Sequence, residues 1–160
     1  MKNLLLGIVL TFVGCSTTYI DKGNDIQEVK VHLHHGYYDD VNTFEQSLTK
    51  DLIPGTIKIS FWFTKREQEI ILTKADRMGF FNFPDTVFAK PNETQLSDYG
   101  AQTIRIKSGN KDKTVVWFNP ADELRFKYFV LLRELKILIL DIVESKPEYK
   151  VLPERNGGYQ

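Results

Sequence analysis

The chain has 160 residues with 21 basic and 21 acidic side chains, so its formal net charge is zero. This balance gives no indication of a nucleic-acid partner or of an electrostatic attachment to a membrane surface. The single cysteine excludes an internal disulfide and a zinc site built from several thiolates.

The first fifteen residues form a segment of their own. Lys2 precedes an apolar run over residues 4–13, and Gly14 and Cys15 follow the run. A helix that spans a membrane needs roughly 20 apolar residues, so this run is too short for one. It has the length of the hydrophobic region of a secretory signal peptide.

The tetrapeptide Phe12-Val13-Gly14-Cys15 resembles the lipobox of bacterial lipoproteins. The resemblance implies cleavage before Cys15, acylation of its thiol and amine, and attachment to the membrane through these acyl chains. It also implies a place in the bacterial cell envelope, where Ser16 favours the outer membrane over the inner one. We therefore expect a signal peptide over residues 1–14 and a lipidated tether over 15–26. The alternative is an ordinary secretory leader, or an uncleaved hydrophobic end, with an incidental cysteine.

Alternating apolar and polar residues predict the first strands. Val29, Val31 and Leu33 alternate with polar residues, and residues 56–63 alternate in the same way. Residues 36–55 show no clear period, which indicates a loop and a short irregular hairpin. A second strand pair is predicted over residues 101–118, around a turn rich in Gly and Asn.

Two helices are predicted from their end signals. Thr64 and Glu67 form a capping box, and Gly79 has the position of a helix-ending glycine. The second helix is expected to start at Asn119, with Pro120 in its first turn, and to end before Pro147.

These elements predict an α+β fold: an antiparallel sheet with two helices on one face. We expect a single domain over residues 27–153 and a flexible tail over 154–160. A strand pair followed by a capped helix occurs twice, which indicates a repeated ββα unit. With its Phe63-Thr64 strand end and its turn at residues 79–85, the chain resembles uncharacterised small envelope lipoproteins of the Bacteroidota. That resemblance implies no activity.

His32 and His34 are the first candidates for chemistry, because residues two apart on a strand share one face. Two imidazoles at this spacing can share a divalent metal, with Asp39 or Asp40 as a further ligand. Such a site would make the protein a metal-binding periplasmic sensor or hydrolase. The alternative is a solvated strand face that carries imidazoles. No phosphate-binding glycine motif and no nucleophile elbow occurs, so the sequence predicts no cofactor and no catalytic residue.

A candidate binding face follows from the strand alternation. If the isoleucines of the strands face the helices, the opposite face carries tryptophan and arginine, which often anchor interfaces. The candidates are Lys58, Trp62, Arg105 and Trp117, the last only if Val116 and Phe118 form the core pair of their strand. We expect a lipid-anchored protein that binds a macromolecule such as another envelope protein. The alternative is that loops or the tail cover these rings.

Overall fold

The computed structural model describes residues 27–35, 39–52, 55–87, 101–118 and 127–154. Within these ranges, seven strands form one sheet: β1 (Val29–His35), β2 (Asp40–Asn42), β3 (Ser47–Leu52), β4 (Gly55–Ser60), β5 (Thr86–Val87), β6 (Ala101–Ser108) and β7 (Lys111–Phe118). Their order across the sheet is β4-β3-β2-β1-β6-β7-β5. All neighbours are antiparallel except β5, which pairs with β7 in parallel.

The helices are α1 (Lys65–Met78), α2 (Lys127–Ser145) and the short α3 (Pro147–Lys150). None of the helices described is long and apolar enough to cross a membrane. The predicted signal peptide, Cys15 and the tether lie outside the described residues, and so does the predicted helix start at Asn119.

The segment between the first two predicted strands is more regular than the sequence indicates. It forms the hairpin of β2 and β3 around a turn at residues 43–46. Thr43 secures this turn to β1, because its hydroxyl accepts from the Val31 N–H at 2.7 Å and donates to the Val31 carbonyl oxygen at 3.1 Å. A hairpin followed by a helix thus occurs twice, as β3-β4-α1 and β6-β7-α2. The first of these units uses β3 in place of the predicted β1.

The predicted ends of α1 are confirmed. The Thr64 hydroxyl accepts from the Glu67 N–H, and the Glu67 carboxylate accepts from the Thr64 N–H at 2.7 Å. These two bonds satisfy amide groups that a helix start leaves without partners. Gly79 ends the helix with φ of 75°, a backbone conformation that costs a glycine little because it has no Cβ.

Both long helices pack on the same face of the sheet, which confirms the predicted α+β architecture. Lys111 of β7 binds Asp76 of α1 at 2.7 Å, and Lys136 of α2 donates to Gln102 of β6 at 3.0 Å. Gln102 lies opposite Trp117 across the β6–β7 hairpin, so these contacts are on one side of the sheet. The buried core between the layers includes Val31, Leu33, Leu48, Phe61, Ile71, Ile104, Ile106, Val115, Leu132, Leu135 and Ile139.

The two tryptophans have opposite environments. Trp117 is only 2% exposed, and it shares the helix-facing side of β7 with Val115, which is fully buried. The condition that placed Trp117 on the binding face is therefore wrong: the core pair of β7 is Val115 and Trp117. The register explains this, because Val115 pairs with Ile104, and Ile104 faces the helices. Trp62 is 62% exposed.

This difference predicts opposite effects of truncation. Trp117→Ala should lower the free energy of unfolding by about 3 to 5 kcal/mol, the usual cost of a large cavity in a core. Trp62→Ala should change it by less than about 0.5 kcal/mol, as for other exposed positions. Urea unfolding at low protein concentration measures both. A larger loss for Trp62→Ala than for Trp117→Ala would contradict the assigned strand faces.

Candidate functional site on the open face of the sheet

The sheet face opposite the helices, called the open face below, is covered by no helix among the described residues. Its side chains form rows that run across the strands, and two of these rows cross six strands each. The first row is Ser60, Ser47, Asn42, His32, Arg105 and Thr114, and the second is Lys58, Thr49, Asp40, His34, Thr103 and Val116. Nearly all these side chains are polar, so the open face can offer many hydrogen bonds to a partner.

His32, His34 and Asp40 meet in the middle of the open face. The Nε2 atom of His32 lies 2.9 Å from Asp40 Oδ1, and the Nδ1 atom of His34 lies 3.1 Å from the same oxygen. The strands create this cluster, because β2 runs antiparallel to β1 and places Asp40 directly opposite His34. All three side chains remain partly exposed.

The two imidazoles lower the pKa of Asp40. Burial of the carboxyl group raises its pKa, but the hydrogen bonds and the charge interactions with His32 and His34 lower it further than burial raises it. The result is a pKa below the ordinary value of 3.8. Asp40 is an anion at neutral pH, and its carboxylate forms hydrogen bonds with both imidazole rings.

The structure brings together three of the four candidate metal ligands but not in a metal-binding arrangement. The nitrogens of His32 and His34 that lie near Asp40 form hydrogen bonds with its carboxylate, so these three groups bind one another. Within the described ranges, no group of three or more His, Cys, Asp or Glu side chains could hold a metal ion. The alternative interpretation, a metal site at His32 and His34, therefore gains no support from this cluster.

Asp39, the fourth candidate ligand, lies on the helix side of the sheet. Its Oδ2 atom accepts from the Tyr149 hydroxyl at 2.8 Å, and its Oδ1 atom accepts from the Asp51 N–H at 3.3 Å. The ammonium group of Lys50 lies 4.4 Å from the centre of the Tyr149 ring. Asp39, Lys50 and Tyr149 line a cavity of about 330 Å³ beside α2 and α3, on the side of the sheet away from the open face.

Arg105 is held at the centre of the open face by two contacts. Its Nε and one terminal nitrogen donate to the two oxygens of Asp112 at 3.0 and 2.8 Å, and its guanidinium lies 4.4 Å from the centre of the Phe44 ring. The hydrogen bonds to Asp112 raise the pKa of Arg105, and the same bonds lower that of Asp112. Arg105 is thus a fixed cation that is still about 41% exposed.

The local sequence pattern alone does not assign either of the two residues that support Arg105. A two-residue turn at Gly109 and Asn110 brings Asp112 to the same face as Arg105, so the turn signal could have predicted this pair. Phe44 could not be assigned, because it belongs to the segment without a clear period and its position depends on the turn between β2 and β3.

The other predicted face residues are separated from Arg105. Lys58 lies on β4 at one edge of the sheet, where its ammonium is 3.5 Å from the Glu45 carboxylate. Trp62 follows β4 and continues its alternation, since Phe61 and Phe63 on either side are buried. Trp117 lies in the core. The predicted binding face therefore consists of a centre at Arg105 and an edge at Lys58 and Trp62.

No protein-family model matches the chain, and a search of curated proteins finds no significant relative.

The state of Asp40 can be measured directly. We expect its carboxyl carbon to titrate below pH 3.8 in an NMR titration, with Asp40→Asn to assign the signal. Because this pKa is lowered by folding, the stability that Asp40 contributes is present at neutral pH and is lost as the pH falls through the folded pKa. In His32→Ala plus His34→Ala the pKa should rise, since burial remains while the hydrogen bonds are lost. An unchanged pKa in that variant would show that the imidazoles do not control Asp40.

Proposed function

We propose that this protein is a lipid-anchored cell-envelope protein whose domain binds an envelope protein through the open face, centred on Arg105. The observation that carries the proposal is the state of Arg105, a partly exposed cation held by Asp112 and Phe44. It lies on a polar face that no helix covers among the described residues. Arginine is enriched among residues that dominate binding energies, because it combines charge, hydrogen bonds and a flat apolar surface.

The contacts of Arg105 with Asp112 and Phe44 favour binding because they reduce the conformational entropy that the side chain loses when a partner binds. Binding costs free energy when flexible side chains lose their freedom, and this cost is smaller for a side chain already held in position. Asp112 and Phe44 hold the guanidinium before a partner arrives. The neighbouring Thr114, Thr103 and His32 add hydrogen-bonding groups around it, as the polar part of an interface requires.

Attachment to the membrane is proposed from the sequence alone. The apolar run of residues 4–13 and the lipobox-like end at Cys15 support a lipid anchor, and Ser16 favours the outer membrane. Several acyl chains on one residue bind a bilayer stably, whereas one chain binds only marginally. A nucleic-acid partner is not proposed, because the net charge is zero.

The anchor is tested by labelling cells with an alkyne-bearing fatty acid. We expect the wild-type protein to be labelled and found in the membrane fraction, and Cys15→Ala to lose the label. The reason is that Cys15 carries the only thiol of the chain. An unlabelled wild-type protein, or equal labelling of the variant, would refute the anchor.

The binding surface is tested by crosslinking in cells followed by purification of the captured proteins. Arg105→Ala should lose most of a captured envelope protein while its stability changes by at most about 1 kcal/mol, because the ion pair with Asp112 is exposed. Lys74→Ala is the matched control: Lys74 is also a partly exposed, ion-paired cation, but it lies in the helix layer and binds Glu134. Equal capture by Arg105→Ala and wild type, or equal loss in both variants, would place the binding surface elsewhere.

A further inference from the structure

The edge strand β4 leaves backbone hydrogen-bonding groups without partners in the described part of the chain. It pairs with β3 on one side, and the sheet order ends there. The Phe61 N–H donates to the Gln46 carbonyl oxygen at 2.9 Å, just beyond the last residue pair of β3 and β4. Because backbone direction alternates along a strand, Ile57 and Ile59 also bond to β3. The N–H and C=O groups of Thr56, Lys58, Ser60 and Trp62 therefore point away from the sheet.

This edge carries little of the protection that natural sheets use against strand addition. Such edges are usually very short, bulged or covered, or they carry several prolines and charged side chains, lysine above all. The pairing of β4 with β3 is regular over six residues, and Lys58 is the one charged residue within β4. The side chain of Lys58 lies on the open face and contacts Glu45. At the end of the strand, Trp62 presents an aromatic ring that is 62% exposed.

We propose that β4 is a self-association site, where β4 of a second copy of this chain adds antiparallel with a two-fold axis at Ile59. Free backbone groups of this kind are satisfied by another extended strand, and a two-fold axis lets identical strands satisfy each other. In this register Lys58 faces Ser60 of the second copy, and Trp62 faces Thr56 of the second copy. The sheet then continues across the axis from one copy to the other.

Charge and backbone bonding select this register over its two neighbours. An axis at Lys58 would place the two Lys58 side chains opposite each other, and like charges in that position are destabilising. An axis at Ser60 would require the Thr64 N–H, which already donates to Glu67 at 2.7 Å. With the axis at Ile59, the backbone groups of all four outward-pointing residues form hydrogen bonds with the second copy. The two Lys58 side chains are then not directly opposite each other.

The side chains fit the same arrangement. Ile59 meets Ile59 of the second copy in a pair without direct backbone bonds, where the side chains come closest. Trp62 lies over Thr56 of the second copy, with Lys58 of that copy as its diagonal neighbour, so its exposed ring gains an apolar contact and a cation. The register therefore accounts for the exposure of Trp62 in a single copy.

The expected association is weak. One pair of six-residue strands buries less than the roughly 1,200 Å² of a standard interface, so dimers should form in a concentration-dependent way. A dimer through β4 requires neither the lipid anchor nor the partner of the open face, because three strands lie between β4 and β6, the strand that carries Arg105.

Disulfide trapping tests the register. In the detergent-solubilised full chain with Cys15→Ser, the added thiol is the only one. We expect Ile59→Cys to form a disulfide-linked dimer under mild oxidation, since the two Cβ atoms would be about 4.5 to 5.5 Å apart. Thr56→Cys is the control: it is more exposed than Ile59, but the two copies of residue 56 would be roughly 20 Å apart. Fastest crosslinking by Lys58→Cys, or equal rates for residues 56 and 59, would overturn the register.

Sedimentation of the same chain tests the dimer without relying on a core-facing substitution. Ser60→Lys would face Lys58 of the second copy twice in the dimer, and we expect roughly fivefold weaker association that recovers at high salt. Thr86→Lys adds the same charge to the exposed side chain of β5, at the opposite edge of the sheet, and should leave association unchanged. A chain that is monomeric at every concentration, or that loses association equally in both variants, would overturn the proposal, as would a different protein strand bound at β4.

Discussion

The antiparallel pairing of β1 with β6 is the interaction on which the rest of the structure depends. Seven residue pairs join these strands, and they connect the β1–β4 half of the sheet to the β6–β7–β5 half. The two strands are about 70 positions apart in the chain. Val31 faces Ile106 and Leu33 faces Ile104 in this pairing, so the apolar sides of both halves form one surface for the helices. Without it, each half would expose an apolar edge.

The same pairing builds the open face, because side chains alternate strictly across a strand. Each apolar pair that faces the helices leaves a polar pair on the other side, and His32 is thereby placed beside Arg105. A slip by one residue would bury the histidines and expose the valines. One strand register therefore determines both the core and the candidate site. The burial of Val31 and Leu33 keeps His32 and His34 on the open face.

Among the described residues, two charged contacts hold the helix layer together: Lys74 of α1 with Glu134 of α2, and Glu67 of α1 with Lys146 just after α2. Glu67, which caps α1, also binds Lys146 at the end of α2 at 2.8 Å, and Lys146 lies 5.6 Å from the Phe61 ring. Burial raises the pKa of Glu67, but Lys146 and the Thr64 N–H and hydroxyl lower it further. The Glu67 carboxylate thus caps the start of α1 and also forms a long-range ion pair with Lys146. This ion pair connects α1 to the end of α2, close to Phe61, which follows the edge strand β4.

Local patterns in the sequence determined the capped helix α1, its end at Gly79, the β6–β7 hairpin and the α+β class, because capping, turn chemistry and side-chain alternation act within a few residues. They also placed Lys58, Trp62 and Arg105 on one face. The tertiary structure alone decided that Trp117 lies in the core, that Asp39 and Asp40 occupy opposite sides of the sheet, and that Phe44 supports Arg105. These depend on which strands pair and in which register. Strand pairing is a long-range choice, made by the burial of apolar surface between distant segments, and no local pattern encodes it.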